Sequence, residues 1–509
     1  MNKKKETKKS KKSKKLKLQN FRKKDVPKLN YGIVHSQVGF SDGVSIVMSQ
    51  IEKIMINNLG ISKSNIYYLV GKAKTPGPYI RQKRVFWHKT KTNRTVQRHF
   101  EEGFGGALSE KIEAKIKIAK QEIKKFIDDK KIDVLIIHNS SHPVNFISSI
   151  AVSRYYRDQI NKGKKTPKYI LWWHDSHLER ERFAKPAMDV KKYLLEGVPG
   201  RYVEYIVFIN KQQFHNAQEY FKELDERSPG LYDTLFHNHA VIYNTATAFI
   251  NTVDDLKSVK YRERVDKFLE DFKINELLTI NKLKLDDVQF CLQHTRIVPR
   301  KRIDFALEWT YELFSKLKEK KLYKGFIFFI SGHHGDEFSD YKKELIKLNK
   351  ELSKKYNTKR FFLVFAEDCP KANISFEEIP VIIRKLGGIG TYFSEIEGFG
   401  NNLLEMLAAG IIPAVYTYPV FITDIAKYKF KIVLLDKFEV TPESIKEMVN
   451  VIKSKRIKMT WANKNLEILR KKLSHEIIAP KLTRAIIRKR NIPKTLPPPK
   501  SYLKSIKSS

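Results

Sequence analysis

One short segment of the sequence combines two carboxylates, two glycines and the predicted start of a helix. It reads Glu397-Gly398-Phe399-Gly400-Asn401-Asn402-Leu403-Leu404-Glu405 and is followed by Ala408-Ala409-Gly410 and Pro413. Glycines let a backbone approach a ligand closely, and a helix that begins near Asn401 directs unpaired N–H groups and its positive end at that ligand. Such an arrangement suits a diphosphate, with Glu397 and Glu405 placed to accept hydrogen bonds from sugar hydroxyls. A glycine turn before an ordinary surface helix is the alternative interpretation of this spacing.

The segment resembles the E-x7-E motif of retaining glycosyltransferases of family 4 and their relatives with the GT-B fold. The shared pattern is E-G-F-G-x-x-x-L-E-x-x-A-x-G-x-x-P, which includes the glycines, the apolar helix face and the later proline. In that family the first glutamate contacts the transferred hexose and the second binds the nucleotide ribose. The resemblance therefore implies these roles for Glu397 and Glu405, with Gly398 to Leu403 as donor-binding residues between them.

A second segment, Gln293-His294-Thr295-Arg296-Ile297-Val298-Pro299-Arg300-Lys301, resembles the family's G-R-x-x-x-x-K-G loop. Arg296 and Lys301 correspond to the arginine and the lysine of that loop. Two cations there can neutralise a diphosphate and stabilise the charge that builds on it as the glycosidic bond breaks. The usual glycine after the lysine is Arg302 here, which leaves the loop conformation open, and surface charges are the alternative interpretation.

The first half of the chain offers one turn and two histidines at strand ends. Asp42 and Gly43 lie in a strand-to-helix turn that resembles the family's glycine-containing loop, which approaches the donor phosphates and the acceptor. The resemblance therefore implies that Gly43 binds the donor, although a tight structural connection is the commoner meaning of such a turn. His138, and His174 with Asp175, end two predicted buried strands and resemble the family's H-N and H-D turns. The resemblance implies that His174 bonds the donor hexose or the acceptor, and that Asp42, His138 and Asp175 contact sugar or acceptor. A purely structural histidine remains the alternative.

The elements that would hold these residues follow an alternating α/β pattern. Buried strands that end in polar turns recur from Tyr31 to Tyr243 and again from Asp286. Ligands of open parallel sheets lie beyond the carboxyl ends of the strands, so the polar turns of each series meet at one rim. The pattern predicts two Rossmann-like domains, and the resemblance implies the GT-B fold, in which two such domains face each other across a cleft.

The expected domain boundaries follow from these patterns and from changes in composition. They are a basic disordered tail at 1–28, an N-terminal Rossmann-like domain on the acceptor side at 29–245, a connecting segment at 246–285, a C-terminal Rossmann-like domain on the donor side at 286–455, C-terminal helices that cross back to the first domain at 456–492, and a tail at 493–509.

Charge and cysteine content indicate the cellular location and the kinds of partner that the sequence favours. The formal net charge is +42, and residues 1–24 alone hold 13 Lys or Arg against the single Glu6. Such a tail can contact an anionic membrane surface or another polyanion, carry a transport signal, or only solubilise the chain. Two cysteines, no secretory leader and no long apolar stretch predict a cytoplasmic protein without an integral membrane segment, which can be peripheral to a membrane.

The predicted function is transfer of a hexose from a nucleoside diphosphate sugar to an acceptor hydroxyl on a glycan, lipid or small molecule, with retention of configuration. No H-E-x-x-H helix or D-x-D turn accompanies the histidines, so the enzyme is expected to need no metal and no resident cofactor, only the nucleotide sugar as co-substrate. The alternative is a catalytically degenerate GT-B protein that binds nucleic acid or a membrane surface through its basic ends.

Overall fold

The computed structural model describes residues 21–40, 42–106, 108–197, 200, 202–227, 238–246, 259–333 and 339–488. Most of the predicted basic tail, the tail after 492 and residues 247–258 of the connecting segment lie outside these ranges. The chain divides into two compact units. The first extends to Ile242 and resumes at Ile478, and the second runs from Tyr243 to Ile477.

The first unit is built on a seven-stranded parallel sheet with the order β3-β2-β1-β4-β5-β6-β7. Its strands are β1 Tyr31–Val38, β2 Ile66–Ala73, β3 Ile80–Gln82, β4 Val134–His138, β5 Lys168–Trp173, β6 Tyr205–Phe208 and β7 His239–Val241. Its helices before the second unit are α1 Gly43–Asn57, α2 Lys91–Arg98, α3 Ser109–Lys130, α4 Phe146–Asn161, α5 Met188–Gly197 and α6 Lys211–Arg227. Successive residues of β4 enter two different apolar cores, because both faces of a parallel sheet are covered.

The second unit contains a six-stranded parallel sheet with the order β10-β9-β8-β11-β12-β13. Its strands are β8 Val288–Gln293, β9 Gly325–Ile330, β10 Phe361–Phe365, β11 Ile389–Tyr392, β12 Pro413–Tyr416 and β13 Val433–Leu435. Its helices are α7 Val259–Asp271, α8 Ile274–Ile280, α9 Ile303–Glu319, α10 Ser339–Lys355, α11 Ile379–Lys385, α12 Asn401–Ala408, α13 Pro442–Lys453 and α14 Lys455–Lys472.

Both sheets confirm the predicted pair of Rossmann-like domains. In each sheet the strand order reverses beside the first strand, between β1 and β4 and between β8 and β11. Such a reversal opens a crevice at the carboxyl ends of the two strands, where open α/β sheets bind their ligands. Three edge strands were not predicted, namely β3, β7 and β13, and each is only three residues long.

The last helix of the described chain, α15 (His475–Ile487), lies in the first unit from Ile478 onward. Ile478, Leu482 and Ile486 are buried in the same core as Trp172 of β5. The preceding helix α14 instead packs into the core of the second unit, so within the segment 456–492 the return to the first unit begins with α15. Across the described ranges no helix combines the length and the apolar character needed to cross a membrane.

Candidate active-site residues

Gly400 forms the N-cap of α12 in a conformation that requires glycine. Its φ is +105°, in the left-handed region, and a Cβ atom there would overlap the Tyr418 hydroxyl and lie 3.3 Å from Tyr418 Cζ. Within the described ranges no side chain caps the helix at this end. The first backbone N–H groups of α12 therefore face outward at the carboxyl side of β11, as an anion site needs.

A buried ion pair joins the two predicted motifs. Lys301 Nζ donates to Glu397 Oε1, which also accepts from the Tyr392 hydroxyl at 2.7 Å, and Arg300 Nη1 lies 3.8 Å from the other carboxylate oxygen. Burial alone would raise the pKa of Glu397, but Lys301, Arg300 and the Tyr392 hydroxyl lower it to about 2. Glu397 is thus an anion at neutral pH, held at a fixed place beside a cation.

Arg296 lies in the same loop and is exposed. Burial, together with the positive charges of Arg300 and Arg296, lowers the pKa of Lys301 to about 8, against the opposing effect of the Glu397 carboxylate. Arg296 is therefore near enough to act on Lys301. The structure brings both cations of the R-x4-K pattern to the loop that follows β8.

Arg302 explains how the loop adopts its path without the family's glycine. Its φ of 46° and ψ of 48° are left-handed, which costs a non-glycine residue about 1–2 kcal/mol. The side chain offsets this cost. It donates to Asp304 Oδ2 at 3.1 Å and to Glu395 Oε1 at 3.1 Å, and it lies over the ring of Phe438 with 4.3 Å to the centroid.

Glu405 is held by a histidine that the sequence analysis did not single out. His294 Nε2 lies 3.1 Å from Glu405 Oε2, and its Nδ1 lies 2.8 Å from the Ser331 hydroxyl. A carboxylate only accepts, so Nε2 carries the proton. Nδ1 is then an acceptor, and the Ser331 hydroxyl can donate to it. The imidazole also stacks on Phe376 with centroids 4.0 Å apart. Among the described residues, Glu405 Oε1 has no partner and is available to a ligand.

The asparagines at the start of α12 bind neighbouring segments. Asn401 Oδ1 accepts from Asn244 Nδ2 at 2.7 Å, and Asn402 Nδ2 donates to the carbonyl oxygen of His294 at 2.6 Å. The second bond ties the helix directly to the loop after β8. The E-x7-E and R-x4-K segments, 96 residues apart at Lys301 and Glu397, therefore form one rim of the second sheet.

The other predicted donor-binding residues differ in exposure. Gly398 is exposed, whereas Phe399 is buried and stacks on Tyr243 with 5.3 Å between centroids. The Leu403 side chain is fully buried in the second unit. Leu403 can contact a ligand only through its backbone.

Three histidines meet at the carboxyl ends of β1, β4 and β5 in the first unit. His138 Nδ1 lies 3.0 Å from His174 Nε2, and His35 Nδ1 lies 3.2 Å from the His138 carbonyl oxygen. Burial lowers the pKa of His174 to about 3 and that of His138 well below its usual value, with a further decrease of the latter caused by His174. Both rings are neutral at physiological pH and can act through hydrogen bonds.

Asp175 and Asp42 already have partners within the first unit. Asp175 Oδ2 accepts from Arg180 Nε at 2.9 Å, and its other carboxylate oxygen is buried without a partner among the described residues. Asp42 is the N-cap of α1, where its carboxylate accepts from the Ser45 N–H at 3.0 Å and the Gln37 amide at 2.9 Å. Asp42 thus has a structural function whether or not it contacts a sugar.

Gly43 is the first residue of α1 and is exposed, with open space where a Cβ would lie. The glycine of this turn that requires a left-handed conformation is Gly39, at φ +79°. In the described part of the chain, no group of three or more His, Cys, Asp or Glu side chains is arranged to hold a metal ion.

The residues missed at first lie at or near the carboxyl ends of strands. His35 is in β1, His294 follows β8 directly and Tyr392 is the last residue of β11. The rule that polar groups at the carboxyl ends of parallel strands form the site applies to all three, and only the strand order shows that they border the reversal points.

Sequence comparison with known proteins finds two relatives that carry the same enzyme name. No protein-family model matches the chain. Mannosylglucosylglycerate synthase of Petrotoga mobilis is 26% identical over 430 residues, covering 80% of this chain and 86% of the relative. The enzyme of the same name from Thermotoga maritima is 24% identical over 421 residues, covering 80% and 85%.

Solved structures of low sequence identity share the architecture. A glycosyltransferase from Rickettsia africae has a TM-score of 0.54 at 12% identity, and HepE of Anabaena, solved with UDP and glucose, has a TM-score of 0.52 at 12% identity. Each match covers 90% of this chain and 99% of the solved chain. The protein therefore has the GT-B fold. Its homologues and structural neighbours together indicate a glycosyltransferase.

Proposed function

We propose that the protein is a retaining hexosyltransferase, similar to those of family 4, that uses a nucleoside diphosphate sugar. One observation carries this proposal. The Lys301–Glu397 ion pair, the uncapped start of α12 and the partly unbonded carboxylate of Glu405 occupy one rim of the second sheet. Cations and helix N–H groups suit the diphosphate, and the two carboxylates suit hydroxyls at the two ends of the donor.

In the proposed complex the diphosphate lies against the N-terminus of α12, near Lys301 and Arg296. Glu397 accepts hydrogen bonds from the hexose, and Glu405 Oε1 accepts from the ribose. This arrangement places fixed positive charge where negative charge grows as the bond to the leaving phosphate breaks. Lys301, Arg296 and the helix supply that charge, so the proposed reaction needs no metal.

The proposed step is a front-side substitution. The bond between the anomeric carbon and the acceptor oxygen forms as the bond to the leaving phosphate oxygen breaks, and that phosphate oxygen takes the proton of the acceptor hydroxyl. The protein positions the reactants and stabilises charge. From the first unit, His174 is proposed to hydrogen-bond the donor hexose or the acceptor as a neutral imidazole, in keeping with its depressed pKa.

The names of the two relatives suggest the first substrates to test. Both are called mannosylglucosylglycerate synthase, so we infer a mannosyl donor and a glucosylglycerate acceptor as the leading pair. The purified protein would be incubated with nucleotide sugars of mannose, glucose and galactose, with and without glucosylglycerate, and nucleoside diphosphate release would be measured. The anomeric configuration of the product, read by NMR, tests retention.

Two variants test the site. Glu405→Ala is expected to raise the KM for the donor, because it removes the proposed ribose contact, and Glu397→Ala is expected mainly to lower kcat. Wild-type kinetics in both variants would refute the site. Salt-sensitive binding to nucleic acid or to anionic vesicles, without transfer from any donor in the panel, would favour the alternative of a degenerate binding protein.

A further inference from the structure

Two cations of the second unit are buried without an acidic partner among the described residues. Arg384 on α11 is 6% exposed and Lys458 on α14 is 9% exposed. Lys458 Nζ donates to the carbonyl oxygen of Gly387 at 2.7 Å. The guanidinium of Arg384 donates to no described residue, and its Nε is fully buried. Lysine and arginine are almost never buried to this degree unless they are paired.

The two charges also act on each other. Burial and the charge of Arg384 lower the pKa of Lys458 to about 7, and burial lowers the pKa of Arg384 to about 10. Arg384 is therefore charged at neutral pH and repels a second cation, with no described carboxylate that forms an ion pair with either. Such a pair of charges is costly to bury unless an anion completes it.

Two more basic residues precede Lys458, and the buried pair lies away from the donor residues. Exposed Lys455 and Arg456 precede Lys458 in the first turn of α14. Gly387 precedes β11, whereas Glu397 follows it. The four residues of β11 span about 13 Å, which separates the two ends of this strand. The buried cations thus lie at the amino end of β11, opposite the rim that carries Glu397 and Lys301.

We propose that Arg384 and Lys458 form a second anion site, which takes a compact phosphate group and lies apart from the donor-binding rim. The guanidinium fork of Arg384 matches two phosphate oxygens, and the ammonium of Lys458 supplies a point charge beside it. The bound anion neutralises the buried charges and stabilises α11 against α14. Free phosphate and the phosphate group of a small metabolite share this chemistry.

Thermal unfolding of the full chain tests the site. Inorganic phosphate and glycerol 2-phosphate are titrated separately at constant ionic strength, set with sodium chloride. Wild-type Tm is expected to rise by about 3 °C or more at a concentration about ten times the Kd. A larger rise with inorganic phosphate indicates free phosphate as the ligand, and a larger rise with the ester indicates a phosphorylated metabolite. No rise beyond that in sodium chloride for either compound overturns the proposal.

Variants separate this site from the donor rim. Combining Arg384→Leu with Lys458→Met should reduce the phosphate-dependent rise at least to the part that the donor rim contributes, yet leave Tm without phosphate unchanged or higher, because the uncompensated charges are gone. Lys458→Met alone should weaken phosphate binding at least tenfold. The matched surface control, Lys455→Met with Arg456→Leu, and the donor-rim variant Lys301→Ala should both keep the rise. A rise that is as large without Arg384 and Lys458 as in the wild type, or that disappears in Lys301→Ala, refutes the site.

Discussion

Replacing Gly400 with alanine tests the geometry on which the proposed donor site depends. Two costs add in this variant. An L-residue at φ +105° costs about 1–2 kcal/mol, and forcing a methyl group against the Tyr418 hydroxyl costs about 1–3 kcal/mol. The stiffer unfolded chain returns about 0.5–1 kcal/mol. We therefore expect Gly400→Ala to lower the free energy of unfolding by about 1–4.5 kcal/mol.

A second substitution separates the two costs. In a Tyr418→Phe background the overlapping hydroxyl is absent, so the penalty of Gly400→Ala should fall to the conformational cost less the same gain from the unfolded chain, about 0–1.5 kcal/mol. Tyr418→Phe by itself should cost about 1 kcal/mol, since the Tyr418 hydroxyl donates to the Phe399 carbonyl at 2.9 Å.

Urea unfolding at 25 °C, followed by tryptophan fluorescence and circular dichroism, gives the four values of this cycle. Gly43→Ala is the matched control, because Gly43 has open space around it and begins a helix. That control should change stability by less than about 1 kcal/mol. If Gly400→Ala has the same penalty in both backgrounds, the close approach of the Tyr418 hydroxyl to residue 400 is refuted. If its penalty in the wild-type background is as small as that of Gly43→Ala, the left-handed N-cap is refuted as well.

Three further changes probe the neighbouring contacts. The carboxyl of Glu397 has a folded-state pKa of about 2, so it stabilises the fold above its unfolded pKa and loses that contribution as the pH falls from about 5 to 2. The free energy of unfolding of Lys301→Met should therefore fall less over this pH range than that of the wild type. Parallel curves of unfolding free energy against pH would exclude the ion pair. In urea unfolding, the stability of Arg302→Gly should stay within about 1 kcal/mol of the wild type. Arg302→Ala keeps the backbone strain and loses the side-chain contacts, so it should cost about 1–3 kcal/mol. If Arg302→Gly were the less stable of the two, the contacts of Arg302 would not offset its backbone strain. His294→Phe keeps a ring for stacking but loses the N–H that holds Glu405, so steady-state kinetics should show the KM for the donor about tenfold higher and kcat little changed; a fall in kcat alone would reject this positioning role.

The fold was predictable because its strands are short apolar runs that end in polar turns. Phe361–Phe365 was predicted with the bounds that β10 has in the structure, and the predicted helix after Gly400 begins one residue earlier than expected. The edge strands were missed because a three-residue strand leaves no periodic signal, and pairing on one side only demands little apolar character.

The site was predictable in part. The motifs placed Lys301, Glu397 and Glu405 at one rim, and the structure joins Lys301 to Glu397 directly. The contact of His294 with Glu405 spans 111 residues and depends on the order of β8 and β11 in the sheet, which local sequence does not encode. The left-handed Arg302 was equally hidden, because its support comes from Glu395 and Phe438, distant in sequence.

The course of the chain has a consequence for synthesis on the ribosome. Trp172 and its apolar neighbours are covered by Ile478, Leu482 and Ile486 of α15, yet the whole second unit is translated between them. Translation proceeds at about 5–20 residues per second, so many seconds pass between synthesis of Trp172 and synthesis of α15. During that time the apolar face around Trp172 lacks the residues of α15 that bury it in the complete fold. Nascent chains halted before Ile478 should therefore be captured by chaperones that bind apolar surface, and should be released once the final helix has emerged from the exit tunnel.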